Sequence, residues 1–124
     1  VSKRDAARTL LKTLRSGGLV GILTDQRARP PDAVVVPFFG RPASTTSSVA
    51  RLVAKTGALV LPAVCLRTGP GRYRCTFSEP FDAMTLAPEE REAEPLTARL
   101  TAIVERQVRE APGQWLWLHD RWRL

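Results

Sequence analysis

Histidine occurs once in these 124 residues, at His119, and cysteine twice, at Cys65 and Cys75. So small a supply excludes a zinc centre built on short Cys/His spacings and a disulfide framework. The two cysteines, which neighbouring strands could bring together, are expected to be free thiols in a reducing compartment. No Gly-x-Ser-x-Gly elbow marks a serine nucleophile, and neither cysteine has a histidine near it in sequence. Gly17-Gly18 and Gly69-Pro70-Gly71 read as turns, because neither leads into the Lys-Ser or Lys-Thr of a phosphate loop. A calcium loop, internal repeats and low-complexity tracts are also absent from the sequence. No apolar run approaches the ~20 residues of a membrane span, and no charged-then-apolar signal segment opens the chain. What is given reads as a soluble or peripheral piece.

What is present is an ordinary globular composition, with 44% hydrophobic and 25% charged residues, so a single domain over residues 1–124 with one core is expected. The 19 Lys and Arg outnumber the 12 Asp and Glu to leave a net charge of +7. That surplus favours an anionic partner such as acidic phospholipid or a phosphorylated substrate. No nucleic-acid-binding signature accompanies it, and nucleic acid is not expected as a partner. Because many of the arginines stand singly along helical stretches, a merely solvated basic surface is the competing explanation.

Ser2-x-x-Asp5 resembles a capping box, and Ala6, Ala7, Leu10, Leu11 and Leu14 follow at helical spacing, predicting a helix over about 3–15 with Lys3, Arg4, Arg8, Lys12 and Arg15 mostly off its apolar face. With an N-cap but no preceding strand, this helix reads as the middle of a larger α/β alternation. Leu19 to Thr24 predicts a first strand apolar enough to be buried on both faces, which suggests a mixed, largely parallel sheet flanked by helices. Val34–Phe38, Ala58–Leu66 and Arg72–Phe77 predict three more strands, and Val49, Leu52, Val53 and Thr56 a short helix ended by Gly57. Residues 78–94 read as a surface loop, and about 95–110 as a last helix that Pro112-Gly113 stops. Trp115, Trp117 and Trp122 then form an aromatic tail, expected as packed core, with an interfacial anchor as the alternative.

The first two strands each deliver polar or glycine-rich backbone to one sheet edge: Thr24-Asp25-Gln26 after the first, Pro37-Phe38-Phe39-Gly40-Arg41 after the second. The hydroxyl cluster Ser44 to Ser48 is expected to open the following helix, whose free N–H groups suit an anionic or carbonyl ligand. As adjacent strand residues, Phe38 and Phe39 should point to opposite faces, one to the core and one to the ligand side.

Gly18 to Gln26, then Val36-Pro37-Phe38-Phe39-Gly40-Arg41-Pro42-Ala43-x-Thr45, then Thr56-Gly57-Ala58-x-Val60-x-Pro62, and finally Pro112-x-Gln114-Trp115-Leu116-Trp117-x-His119-x-Arg121-Trp122 run in order over nearly the whole chain. Together they resemble the bacterial lipid A biosynthesis acyltransferases, the lauroyl and myristoyl transferases of the lysophospholipid acyltransferase superfamily. The resemblance implies the C-terminal portion of a glycerolipid-acyltransferase-like α/β fold. It implies transfer of a fatty acyl chain from acyl carrier protein, or from a coenzyme A thioester, to a hydroxyl of a lipid A precursor at the cytoplasmic face of the inner membrane, without a cofactor. The superfamily's base lies in a His-x4-Asp or His-x4-Glu motif, which this sequence lacks; His119 falls in the C-terminal block, where a hydrogen-bonded structural histidine is expected, and Asp120 stands where the family more often has a basic residue. The general base and any membrane anchor would then lie upstream of Val1, no residue here would be catalytic, and the chain alone would be inactive.

The resemblance assigns Asp25 and Gln26 to the site edge, Phe38, Phe39 and Gly40 to the floor of an acyl or head-group pocket, Arg41, Thr45 and Thr46 to phosphate or carbonyl oxygens, and Pro62 to the wall. Alternatives are an acyltransferase acting on a phosphatidylinositol mannoside, and a non-catalytic basic module that binds anionic lipid or acyl carrier protein. The Asp25-Gln26 pair and the Trp-x-Trp-x-His ending favour the lipid A branch.

Overall fold

In the computed structural model, which describes residues 3–123, helices alternate with two antiparallel hairpins. Helix α1, Lys3–Arg15, forms where the apolar spacing predicts it; its cap Ser2 lies outside the described residues, and Arg8, Lys12 and Arg15 are exposed. Strands β1, Ala33–Phe38, and β2, Arg41–Thr46, make the first hairpin, with Val36 opposite Ala43 and Phe38 opposite Arg41. Helix α2, Ser48–Thr56, ends at Gly57, whose φ of 66° supplies the left-handed cap. Strands β3, Ala63–Gly69, and β4, Arg72–Phe77, make the second hairpin, and helix α3 spans Ala93–Glu110.

The sheets are therefore two antiparallel pairs rather than one largely parallel sheet. Leu19 to Thr24 forms no regular element and joins no ladder among the described residues, and Leu19 is 86% and Leu23 92% exposed. An apolar run has strand propensity, yet it becomes a buried strand only when neighbours pair both its edges. Residues 58–62 behave alike: a single antiparallel bridge joins Val60 to Phe81, and β3 begins only after Pro62, which has no N–H to donate to a ladder. Ser44 to Thr46 belong to β2 and do not open a helix. The hydroxyl of Ser47 is spent on the Asp32 carbonyl at 3.0 Å, so α2 starts at Ser48 without a side-chain cap. Within 78–94 there are two 3-10 turns, Ala83–Thr85 and Pro88–Arg91. The first is capped by Asp82, whose carboxylate accepts the Met84 N–H at 2.8 Å.

Two apolar clusters hold these pieces. Ala50, Val53, Ala83 and Leu96 join α2, the first 3-10 turn and α3. Phe38, Ala43 and Val108 join the first hairpin to α3, and Phe39, Val104, Trp115 and Trp122 pack around them. Trp115 and Trp122 are thus packed core, while Trp117 is 48% exposed.

The β1–β2 turn corrects the expected alternation of the two phenylalanines. Phe39 (φ 51°) and Gly40 (φ 72°) both have positive φ, the geometry of a two-residue turn that matches strand twist. Phe39 has consequently left the strand, and its ring returns to Phe38 edge-on at 4.8 Å rather than facing away. A bulky residue in the left-handed region costs about 1–2 kcal/mol and needs compensation. The Glu105 carboxylate accepts the Phe39 N–H at 2.7 Å and an Arg109 N–H at 2.6 Å, and the Arg109 guanidinium lies 4.7 Å from the centre of the Phe39 ring.

Arg109 first, and the Phe39 N–H second, hold the Glu105 carboxyl below its usual range. A carboxyl lowered by folding contributes stability above its unfolded pKa of about 4.3 and loses that contribution as pH falls through the folded value. Glu105→Gln is expected to cost about 0.5–1 kcal/mol at neutral pH. The gap in thermal midpoint between the two proteins should close in acid; a gap independent of pH would remove the charge from the account.

Candidate acyl-binding cavity and its polar edge

The segments at 19–24 and 58–62, which lie outside both ladders, wall a cavity of about 890 Å³. Leu19 to Thr24 and Ala58 to Ala63 form one side, Val49, Leu52 and Val53 of α2 another, and Leu100, Ile103 and Val104 of α3 a third. Such a volume lies within the ~300–1,000 Å³ range of small-molecule sites, and the lining is mainly apolar with a few placed polar groups. The exposed side chains of Leu19, Leu23, Leu59, Leu61 and Phe77 rim it.

Its polar edge is built by three distant pieces of chain. Residues 25–29 lie along the free edge of β2: Arg27 bridges Thr45, the Ala28 N–H donates to the Ser44 carbonyl at 3.2 Å, and the Ser44 hydroxyl donates to the Ala28 carbonyl at 2.9 Å. From the C-terminal block, Arg121 enters with only 2% of its surface exposed. Its Nη1 donates to the Ser44 carbonyl at 2.9 Å, its Nη2 to the Thr45 hydroxyl at 2.7 Å, and its guanidinium lies 5.2 Å from the centre of the Phe38 ring. Burial lowers the Arg121 pKa from the usual arginine range, and the Asp25 carboxylate opposes that shift. No carboxylate lies within ion-pair distance of Arg121 among the described residues. The result is a buried cation with donors left over, beside an apolar cavity that it also lines.

Gln107 adds a second feature of the same kind. Its Nε2 is shielded from solvent, has no hydrogen-bond partner among the described residues, and belongs to a side chain on the cavity wall. An unmet buried donor costs about 1–3 kcal/mol, which an oxygen of a bound molecule would recover.

Of the residues assigned from sequence, Phe38, Thr45, Thr46 and Pro62 line the cavity. Asp25 and Gln26 do not line it; Asp25 is half-buried and within electrostatic reach of Arg121, and Gln26 is exposed. Phe39 and Gly40 make the hairpin turn, and Arg41 is exposed with its guanidinium 5.2 Å from the centre of the Trp122 ring. These three do not line the cavity. Sequence reading missed Arg121 and Gln107, and also Thr97 and Thr101, which line the cavity while their hydroxyls donate to the Ala93 and Thr97 carbonyls of α3. The stripe Thr97, Thr101, Gln107 on the otherwise apolar face of α3 was the available signal, and an arginine set between tryptophans was the other.

His119 is occupied elsewhere. Its Nε2 accepts the backbone N–H of Arg27 at 3.1 Å, which ties the C-terminal block to the Asp25–Arg29 loop.

The model of the family described as bacterial lipid A biosynthesis acyltransferase matches residues 1–124. The chain is 30% identical over 122 residues to the lipid A biosynthesis lauroyltransferase of Escherichia coli (strain K12), covering 97% of this chain and 39% of that protein. It is also 30% identical over 123 residues to the lipid A biosynthesis acyltransferase of Haemophilus influenzae (strain ATCC 51907 / DSM 11121 / KW20 / Rd), covering 97% of this chain and 38% of the relative. The chain therefore spans under half the length of the curated relatives it matches, and it belongs to the bacterial lipid A biosynthesis acyltransferase family.

Proposed function

We infer that this chain supplies the acyl-chain cavity and part of the polar edge of an enzyme that moves a fatty acyl group from a thioester donor to a hydroxyl of a lipid A precursor. The observation that carries the reading is the junction of a mainly apolar cavity of about 890 Å³ with the buried Arg121–Thr45 pair. The acyl tail lies among Leu19–Leu23, α2 and α3, and its carbonyl, or a phosphate of the acceptor, meets Arg121 and Thr45. The donor is an acyl carrier protein thioester or a coenzyme A thioester. In the reaction a base takes the proton of the acceptor hydroxyl, its oxygen attacks the thioester carbonyl, and the thiolate leaves. That base is assigned to the family's His-x4-Asp/Glu element, which these 124 residues do not contain. A place at the surface of the inner membrane belongs to the same proposal; the net charge of +7 and the exposed Leu19, Leu23, Leu116 and Leu118 support it.

Two measurements on the chain separate binding from catalysis. Mixed with acyl carrier protein thioester and a lipid A precursor it should form no product, because its one imidazole is engaged by Arg27. It should nevertheless bind a fluorescent fatty acyl probe. Leu23→Asp with Leu59→Asp, both at exposed rim positions, should weaken that binding about tenfold while leaving the unfolding midpoint nearly unchanged. Unaltered binding by the rim variant would remove the cavity from the acyl assignment, and turnover abolished by His119→Ala would overturn the division of labour.

A further inference from the structure

Cys65 and Cys75 stand directly opposite each other in the antiparallel ladder of β3 and β4. Residues so paired project to the same face of a sheet. That face is the open one, since both cysteines are exposed while Val64 and Leu66 on either side of Cys65 are half-buried. The sulfur atoms are 2.9 Å apart, with the thiols free. Directly opposed residues have Cα atoms about 4.5 or 5.5 Å apart depending on the type of pair, and both spacings fall inside the ~4.4–6.8 Å range that a disulfide spans. Closing the bond therefore requires side-chain rotation and little movement of the backbone.

We propose that Cys65 and Cys75 form a dithiol site that low-molecular-weight disulfides oxidise to an intramolecular cross-strand disulfide. One of the two exposed cysteines loses its proton to solvent, and its thiolate attacks one sulfur of oxidised glutathione, forming a mixed disulfide and releasing one glutathione thiolate. The other cysteine then loses its proton to solvent, and its thiolate attacks the first cysteine's Sγ 2.9 Å away, expelling the second glutathione thiolate. Two protein thiols are oxidised and one glutathione disulfide is reduced, so electrons balance without a further reagent. The hydrogen bond with Cys75, ahead of burial and the Cys75 charge, pushes the Cys65 thiol up, so the exchange is run at mildly alkaline pH, where thiolate forms.

The site bears on the cavity through the hairpin that carries it. Ala63, where β3 begins, and Phe77, where β4 ends, both line the cavity. The remaining edge of β3 is held by Gln114, whose side-chain oxygen accepts the Arg67 N–H at 2.8 Å and whose side-chain nitrogen donates to the Arg67 carbonyl at 3.1 Å. A bond between Cys65 and Cys75 would fasten the β3–β4 pairing of that wall.

The test is to incubate the reduced chain with oxidised glutathione at mildly alkaline pH and to follow free thiols, intact mass and size. The expected product is a monomer that has lost both thiols and the mass of two hydrogens, yields a peptide linking residues 65 and 75, and returns to the dithiol with dithiothreitol. Cys65→Ser and Cys75→Ser should each stop at a single stable glutathione adduct, because the resolving thiol is gone. Stable glutathione adducts on the unaltered chain, covalent dimers, or persistence of both free thiols where the single variants are modified would overturn the proposal. None of these outcomes depends on the acyl-transfer reading.

Discussion

Phe38→Ala is expected to lower the unfolding free energy by about 3–5 kcal/mol, the largest loss from any single truncation considered for this chain. Phe38 is 1% exposed, and its ring centre lies 4.8 Å from that of Phe39, 5.8 Å from Trp115 and 5.7 Å from Trp122. Deleting the ring removes the centre of the cluster that joins the first hairpin to α3 and the C-terminal block. It also takes away the surface against which Arg121 lies. Phe38→Leu, which keeps most of the volume, should cost only about 1–1.5 kcal/mol. Phe39→Ala should be milder than Phe38→Ala, because Phe39 is only half-buried and packs at the margin of the cluster. Urea unfolding of the three variants measures the ranking; a Phe39 loss equal to that of Phe38 would show that the turn, rather than the strand end, anchors the cluster.

Arg121→Ala should cost about 2–4 kcal/mol, since the substitution removes two donors to buried groups and a guanidinium set over an aromatic ring. The Ser44 carbonyl keeps the Ala28 N–H, but the Thr45 hydroxyl loses its donor. Arg121→Lys separates this structural work from ligand work. An ammonium keeps the charge but lacks the planar fork, so the fold should survive with a loss of about 1–2 kcal/mol. If the spare guanidinium donors meet a ligand oxygen, the lysine variant should bind a fatty acid carboxylate about tenfold less well. Binding of the fatty alcohol of equal length should be unchanged. Equal losses for acid and alcohol would make Arg121 purely a clamp on β2.

The elements legible in the sequence are those whose cause is local. Apolar spacing marks α1 and α3, β-branched content marks β1, the turn glycines Gly69 and Gly71 open β4, and Gly57 stops α2 because only its left-handed φ closes that cap. Illegible were the features set by distant partners. Leu19–Thr24 has strand chemistry but no ladder partner, and its exposed leucines become a cavity rim. Ser44–Thr46 look like helix-opening hydroxyls, yet the pairing with β1 and the edge contacts of Arg27 and Ala28 make them a strand. Phe39 escapes the alternation rule because Glu105, 66 positions away in sequence, helps to hold its left-handed backbone. The site divides in the same way. The Phe38, Thr45, Thr46 and Pro62 assignments fall on the cavity through family resemblance. Arg121 was missed because its two bonded partners lie 77 and 76 positions upstream.

The central claim, that the cavity beside Arg121 holds an acyl chain, is met most directly by photolabelling. A medium-chain fatty acyl thioester carrying a diazirine near its methyl end, irradiated with the chain and mapped by peptide mass spectrometry, should label residues 17–24 and the cavity faces of α2 and α3. An excess of unlabelled fatty acid should suppress that labelling. Labelling confined to the β3–β4 hairpin face that carries Cys65 and Cys75, or no labelling that competitor suppresses, would contradict the account.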